Sequence, residues 1–72
     1  MRNTETIEIV LNGERRRVAA GSTIERLLEE LGVPPRGTAV ELDGGIVPPG
    51  RLAETVLRDG QRVEVVRLVG GG

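Results

Sequence analysis

Apolar and polar residues follow one another along this chain in two different rhythms, and the rhythm changes mark its elements. Thr6 to Leu11 reads TIEIVL, with Ile7, Ile9 and Leu11 at period two, which predicts a strand. Asn12-Gly13 follows, the dipeptide best suited to a type I′ hairpin turn, so Glu14 to Val18 is expected to return beside it. A two-residue turn pairs Ile7 with Val18 and Ile9 with Arg16, which sets Arg16 on the apolar face. Such a strand belongs at a sheet edge, where the arginine stem covers apolar atoms and its head reaches water. Arg15, Arg16 and Arg17 are then either edge protection or a stripe on which a partner docks.

The period next becomes helical. Ile24, Leu27, Leu28 and Leu31 recur at i, i+3, i+4 and i+7. Ser22-Thr23-Ile24-Glu25 before them matches a capping box, with Ser22 at the N-cap and Glu25 at the third helical position. Gly32 is placed to end the helix in the left-handed conformation, Val33 to fold back on it, and Pro34-Pro35 to stop it. Alternation returns at Thr38 to Leu42, with Val40 and Leu42 on one face and Ala39 and Glu41 on the other. Asp43-Gly44 signals a second hairpin, with Ile46-Val47 as a short return strand halted by Pro48-Pro49. Leu52, Val56 and Leu57 are expected to anchor a turn of helix or 3₁₀. Arg62 to Val69 reads as the closing strand, in which Val63 and Val65 point inward while Val66 and Leu68 put apolar side chains on the opposite face. Val10, outward on the first strand, is expected to join them in a contact surface.

The order strand, strand, helix, strand, strand, turn, strand gives an α+β domain: one sheet with one apolar face, crossed by one main helix. The closing strand is apolar on both faces for part of its length, which suits the sheet interior. Placing the first and last strands side by side at the centre yields the ubiquitin-like β-grasp arrangement, a mixed sheet of about five strands.

Composition narrows the chemistry. Seventy-two residues make one small domain, which buries only about 60% of its unfolded surface. There is no cysteine and no histidine, so the chain brings no thiol nucleophile, thiolate metal site or imidazole base of its own. It has no aromatic residue on which bases could stack, and its 10 basic and 11 acidic residues give a net charge of −1. Neither favours nucleic acid. All ten basic residues are arginine, so lysine-linked self-conjugation is closed to it. No apolar run reaches the roughly 20 residues of a membrane span, and the first six residues have no signal-peptide apolar region. A cytoplasmic protein, monomeric when free, is expected.

The sequence ends in Val69-Gly70-Gly71-Gly72. Glycines without side chains supply a thin cord that enters a narrow slot and delivers a carboxylate, and a frayed end is the alternative. The expected organisation is a β-grasp domain over 1–68 and a flexible glycine tail over 69–72.

Taken together, these pieces resemble the bacterial sulfur-carrier proteins of thiamine biosynthesis, the ThiS family. The likeness runs from Ile7 to Gly72. It is carried by Val10-Leu11-Asn12-Gly13-Glu14, by Ala20-Gly21-Ser22-Thr23-Ile24 leading into Leu27-Leu28-Glu29-Glu30-Leu31, and by Val40-Glu41-Leu42-Asp43-Gly44 leading into Ile46-Val47-Pro48. It closes with Asp59-Gly60-Gln61-Arg62-Val63-Glu64-Val65-Val66 and the glycines. Asp43 stands where the family often has Asn, and Leu52 where it often has Trp.

The resemblance implies a carrier, not an enzyme, with no bound cofactor. A ThiF-type adenylyltransferase using ATP would activate the Gly72 carboxylate, a protein persulfide would convert it to a thiocarboxylate, and thiazole synthase would accept the sulfur. Gly70 and Gly71 would extend the reach, and Val10, Val66, Leu68 and Val69 would bind partners. The small subunit of molybdopterin synthase and a ubiquitin-like protein modifier are the alternative readings.

Overall fold

The computed structural model describes residues 5–68. Strands β1 (Thr6–Leu11) and β2 (Glu14–Ala19) precede helix α1 (Ile24–Leu31). Strands β3 (Thr38–Leu42) and β4 (Gly45–Val47), a 3₁₀ turn (Pro49–Arg51) and β5 (Arg62–Arg67) follow. The sheet order is β2-β1-β5-β3-β4. β1 and β5 are parallel neighbours at the centre, and the remaining pairs are antiparallel. This is the β-grasp arrangement expected from the order of elements.

Both hairpins turn where the dipeptides place them. Asn12 and Asp43 stand at φ 48° and 50°, each followed by a glycine at positive φ, as type I′ turns require. The first turn fixes the register: Ile7 faces Val18 and Ile9 faces Arg16. The inner face of the sheet meets one stripe of α1. Ile9, Ile24, Leu27, Leu28 and Val63 are fully buried, with Val18, Val40, Leu52 and Leu57 closing the core around them.

Arg16 lies among the apolar residues of that face, as the register demands. It is half-buried, and its Nε is inaccessible and without a hydrogen-bond partner.

The helix cap departs from the sequence reading. Thr23, not Ser22, is the N-cap: its backbone is extended and its hydroxyl accepts from Arg26 N at 3.1 Å. The cause is tertiary. Ser22 O accepts from Leu57 N at 2.8 Å, and Ile24 N donates to Thr55 O at 3.0 Å, which holds Ser22 and Thr23 in an extended bridge to the segment around Val56. The helix therefore starts one residue later, and the third helical position is Arg26 instead of Glu25, so no carboxylate reaches back to the cap. Replacing Thr23 by Ala is expected to cost about 1 kcal/mol. Replacing Ser22 should cost much less, because its backbone makes the contact. Urea unfolding with an unchanged slope checks both, and equal losses would return the cap to Ser22.

The other end of α1 closes as expected. Gly32 is left-handed at φ 72°, its N–H bonds Glu29 O, and Val33 N bonds Leu28 O at 2.9 Å, the paired bonds of a Schellman ending. Val56 is a second departure. Leu52 and Leu57 enter the core, but Val56 is exposed, and its contribution is the backbone bridge to Thr23.

Candidate functional site

The candidate site is the end of β5, from which residues 69–72 continue. Val69, Gly70, Gly71 and Gly72 lie outside the described residues, so the geometry concerns what precedes them.

β5 is held up to Leu68 on the β3 side and up to Val65 on the β1 side. On the β3 side the pairing runs through Ala39–Val66 and Thr38–Arg67. One residue further, Leu68 N donates to Gly37 O at 2.7 Å. The Pro34–Thr38 segment is itself tied down: Thr38 is buried, its Oγ1 donates to Pro34 O at 2.7 Å, and its N–H donates to Pro35 O. On the other side, β1 turns away at Asn12. The Asn12 side chain takes over as a substitute strand residue. Its Oδ1 accepts from Val65 N at 2.9 Å and its Nδ2 donates to Val65 O at 3.3 Å. Bonding on this edge thus extends to Val65 although the parallel neighbour has ended, and only the β3 edge carries it on to Leu68.

The outer face of this end is apolar. Val66 and Leu68 are 51% and 59% exposed, and half-buried Ala39 is the cross-strand neighbour of Val66. Ile46, at 74% the most exposed large apolar residue among those described, stands on β4 opposite Glu41 and diagonal to Ala39. Sequence reading placed Val66 and Leu68 here and overlooked Ile46. The signal was present, because an Asp43-Gly44 turn that sets Val47 against Val40 on the inner face must turn Ile46 outward.

Val10 does not join this group. The parallel register sets it beside Arg62, at the opposite end of β5. Four residues of strand, about 13 Å, separate that level from Val66. The Glu41–Glu64 cross-strand pair occupies the row between them. Val10 is half-buried, flanked by Arg62 and Arg15.

Among the described residues, no group of three His, Cys, Asp or Glu side chains is placed to hold a metal ion. No helix among the described residues is long and apolar enough to cross a membrane. What the site offers is mechanical: a rigidly bonded strand end, an exposed apolar flank, and a run of glycines next in sequence.

Comparison with known proteins points the same way. The ThiS family model matches residues 4–72. The chain is 44% identical over 62 residues to the sulfur carrier protein ThiS of Thermus thermophilus, covering 86% of this chain and 95% of that one. It is also 44% identical over 66 residues to a thiazole synthase of Paramagnetospirillum magneticum, covering 92% of this chain but only 20% of that protein. The chain thus spans about a fifth of the length of the thiazole synthases it matches. Among solved structures, a thiamine biosynthesis protein (ThiS) from Geobacter metallireducens superposes with a TM-score of 0.79 at 29% identity, covering 92% of this chain and all of that one.

Proposed function

This chain belongs to the ThiS family, and from that membership we propose that it is the sulfur carrier of thiazole formation in thiamine biosynthesis, charged at the carboxyl of Gly72. The observation that carries the reading is the anchorage of β5, to Val65 on the β1 side and to Leu68 on the β3 side, one residue short of the glycine run. A strand end bonded in this way fixes where the following residues start. Four residues then span at most about 14 Å. That suffices to reach an active site while the apolar flank rests on the enzyme's surface.

The chemistry needs little from the carrier. A carboxylate is a poor acyl donor because oxide is a poor leaving group. An adenylyltransferase of the ThiF type solves this by letting a Gly72 oxygen attack the α-phosphorus of ATP, with pyrophosphate leaving. The terminal sulfur of a protein persulfide then attacks the Gly72 carbonyl carbon, and AMP leaves. A thiol cleaves the resulting acyl disulfide, releasing the thiocarboxylate and a disulfide. The thiocarboxylate sulfur is a softer nucleophile than oxygen and passes to thiazole synthase. Gly71 and Gly72, lacking Cβ, let the backbone lie close to nucleotide and enzyme. The similarity to thiazole synthases favours this acceptor over molybdopterin synthase.

Incubation with an adenylyltransferase of this type, ATP and a persulfide donor should change the intact mass by one oxygen replaced with one sulfur, located at Gly72 by fragmentation. An unchanged mass together with no carrier-dependent pyrophosphate exchange would reject the carrier role. The apolar flank has its own prediction. Val66→Thr with Leu68→Ser keeps the strand shape and removes the exposed apolar surface. It should slow charging about tenfold or more, the effect of losing well-packed interface contacts. Unfolding free energy should move by no more than about 0.5 kcal/mol, because both sites face water.

A further inference from the structure

β2 is an edge strand, and its bonding parity decides what the edge offers. The two-residue turn is closed by the Leu11–Glu14 pair, so Glu14, Arg16 and Val18 exchange backbone hydrogen bonds with Leu11, Ile9 and Ile7. The bond from Ala20 N to Glu5 O, 2.9 Å, continues the same parity. Arg15, Arg17 and Ala19 therefore turn their backbone groups away from the sheet. Ala19 O is taken by Ser22 N at 3.1 Å. That leaves the N–H and C=O of Arg15 and of Arg17 and the N–H of Ala19, each two residues from the next, which is the spacing at which a further strand bonds.

The side chains give this edge a sign. Arg15 and Arg17 are exposed on the outer side, and Arg16 lies on the inner side with its Nε buried and unpartnered. Arg17 gives one guanidinium N–H to Thr6 Oγ1 at 2.9 Å. The acidic groups nearby are Glu8, paired across the strands with Arg17, Glu14 beside the turn, Glu5 opposite Ala20, and Glu30 beyond the strand's end, where it pairs with Arg26. The one ion pair among the described residues is Arg26–Glu30, on α1. Where β2 ends, a groove of about 350 Å³ opens between Ala19 and Ala20 on one side and Thr23, Arg26 and Glu30 on the other.

We propose that β2 is a docking edge for an extended acidic segment of a partner protein, which adds as a sixth strand beside Arg15–Arg17. Main-chain bonds to Arg15 and Arg17 supply the register, and alternate side chains supply the selectivity. Carboxylates on the outer side lie next to Arg15 and Arg17. Beyond the strand's end the inner side chains enter the groove against α1. A second copy of this chain is a poor occupant, because two arginine-rich edges repel. The edge is separated by β1 from β5, the strand that leads to Gly72.

The test uses a capped synthetic peptide of alternating Glu and Val, titrated into the ¹⁵N-labelled full chain. Saturable shifts centred on the Arg15 and Arg17 amides, with slowed exchange of those two amide protons, are expected. The double variant Arg15→Glu, Arg17→Glu should weaken binding about tenfold, the loss of two exposed charge pairs, while its amide spectrum elsewhere stays native. The same peptide N-methylated at alternate residues keeps its charge but cannot pair, and it should not bind. Absence of saturable binding would overturn the proposal. So would equal binding of the N-methylated peptide, which would mean charge alone, or shifts centred on Val66 and Leu68. A single-stranded oligonucleotide that occupies the Arg15 and Arg17 amides and that the peptide does not displace would also overturn it.

Discussion

Deleting Gly72 is expected to lower the rate of adenylation by at least about 100-fold without disturbing the fold. The variant still ends in a glycine with a free carboxylate, so the reacting group and its flexibility are kept. What changes is reach: one residue withdraws the carboxylate by about 3.5 Å. An in-line attack on phosphorus requires the reacting atoms about 3–3.5 Å apart, and a misplacement of 1 Å already costs about 100-fold. The strand end cannot advance to compensate, because Leu68 is bonded to Gly37 and Val65 to Asn12. Carrier-dependent ATP–pyrophosphate exchange measures the loss, and the melting temperature should be unchanged. If the shortened chain were charged at the native rate, the reactive position would not be Gly72.

Leu27→Ala is expected to destabilise the domain by about 3 kcal/mol. Leu27 is fully buried at the centre of the α1 stripe, between Ile24 and Leu28 and beneath the sheet. A domain of this length has a total stability of only roughly 4–11 kcal/mol, so one cavity removes a large part of it. For a chain of 60–100 residues such a loss lowers the melting temperature by roughly 12–24 °C. The core has no aromatic ring to relax into the space: it consists of Ile, Leu and Val side chains whose rotamers are set by the helix and the strands. Calorimetry checks the value. A loss below about 1 kcal/mol would mean that the helix settles onto the sheet more freely than a close-packed core allows.

The parts of the fold that short-range chemistry decides were legible in the sequence. Asn12-Gly13 and Asp43-Gly44 set two hairpins and their registers, including the placement of Arg16 on the inner face. The Leu27, Leu28 and Leu31 stripe and Gly32 set the helix and its end. What escaped depended on residues far apart along the chain. The N-cap fell on Thr23 because Leu57 and Thr55 hold the residues before the helix. Val10 was grouped with Val66 because both face outward. Their separation comes from the β1–β5 register, which no turn fixes. The substitution of the Asn12 side chain for a missing strand residue had no sequence signal beyond the turn that Asn12 already explains.

The central pairing of β1 with β5 also bears on how the protein comes into being. Asn12 and Val65, which complete that pairing, are 53 positions apart. During synthesis the two hairpins and the helix emerge with only local partners, and the middle of the sheet stays vacant until β5 leaves the ribosome. Closing so long a loop makes folding slower than local contacts alone would allow. A nascent chain interrupted before β5 therefore has no finished core, and the same strand that leads into the glycine run is the one that completes the fold.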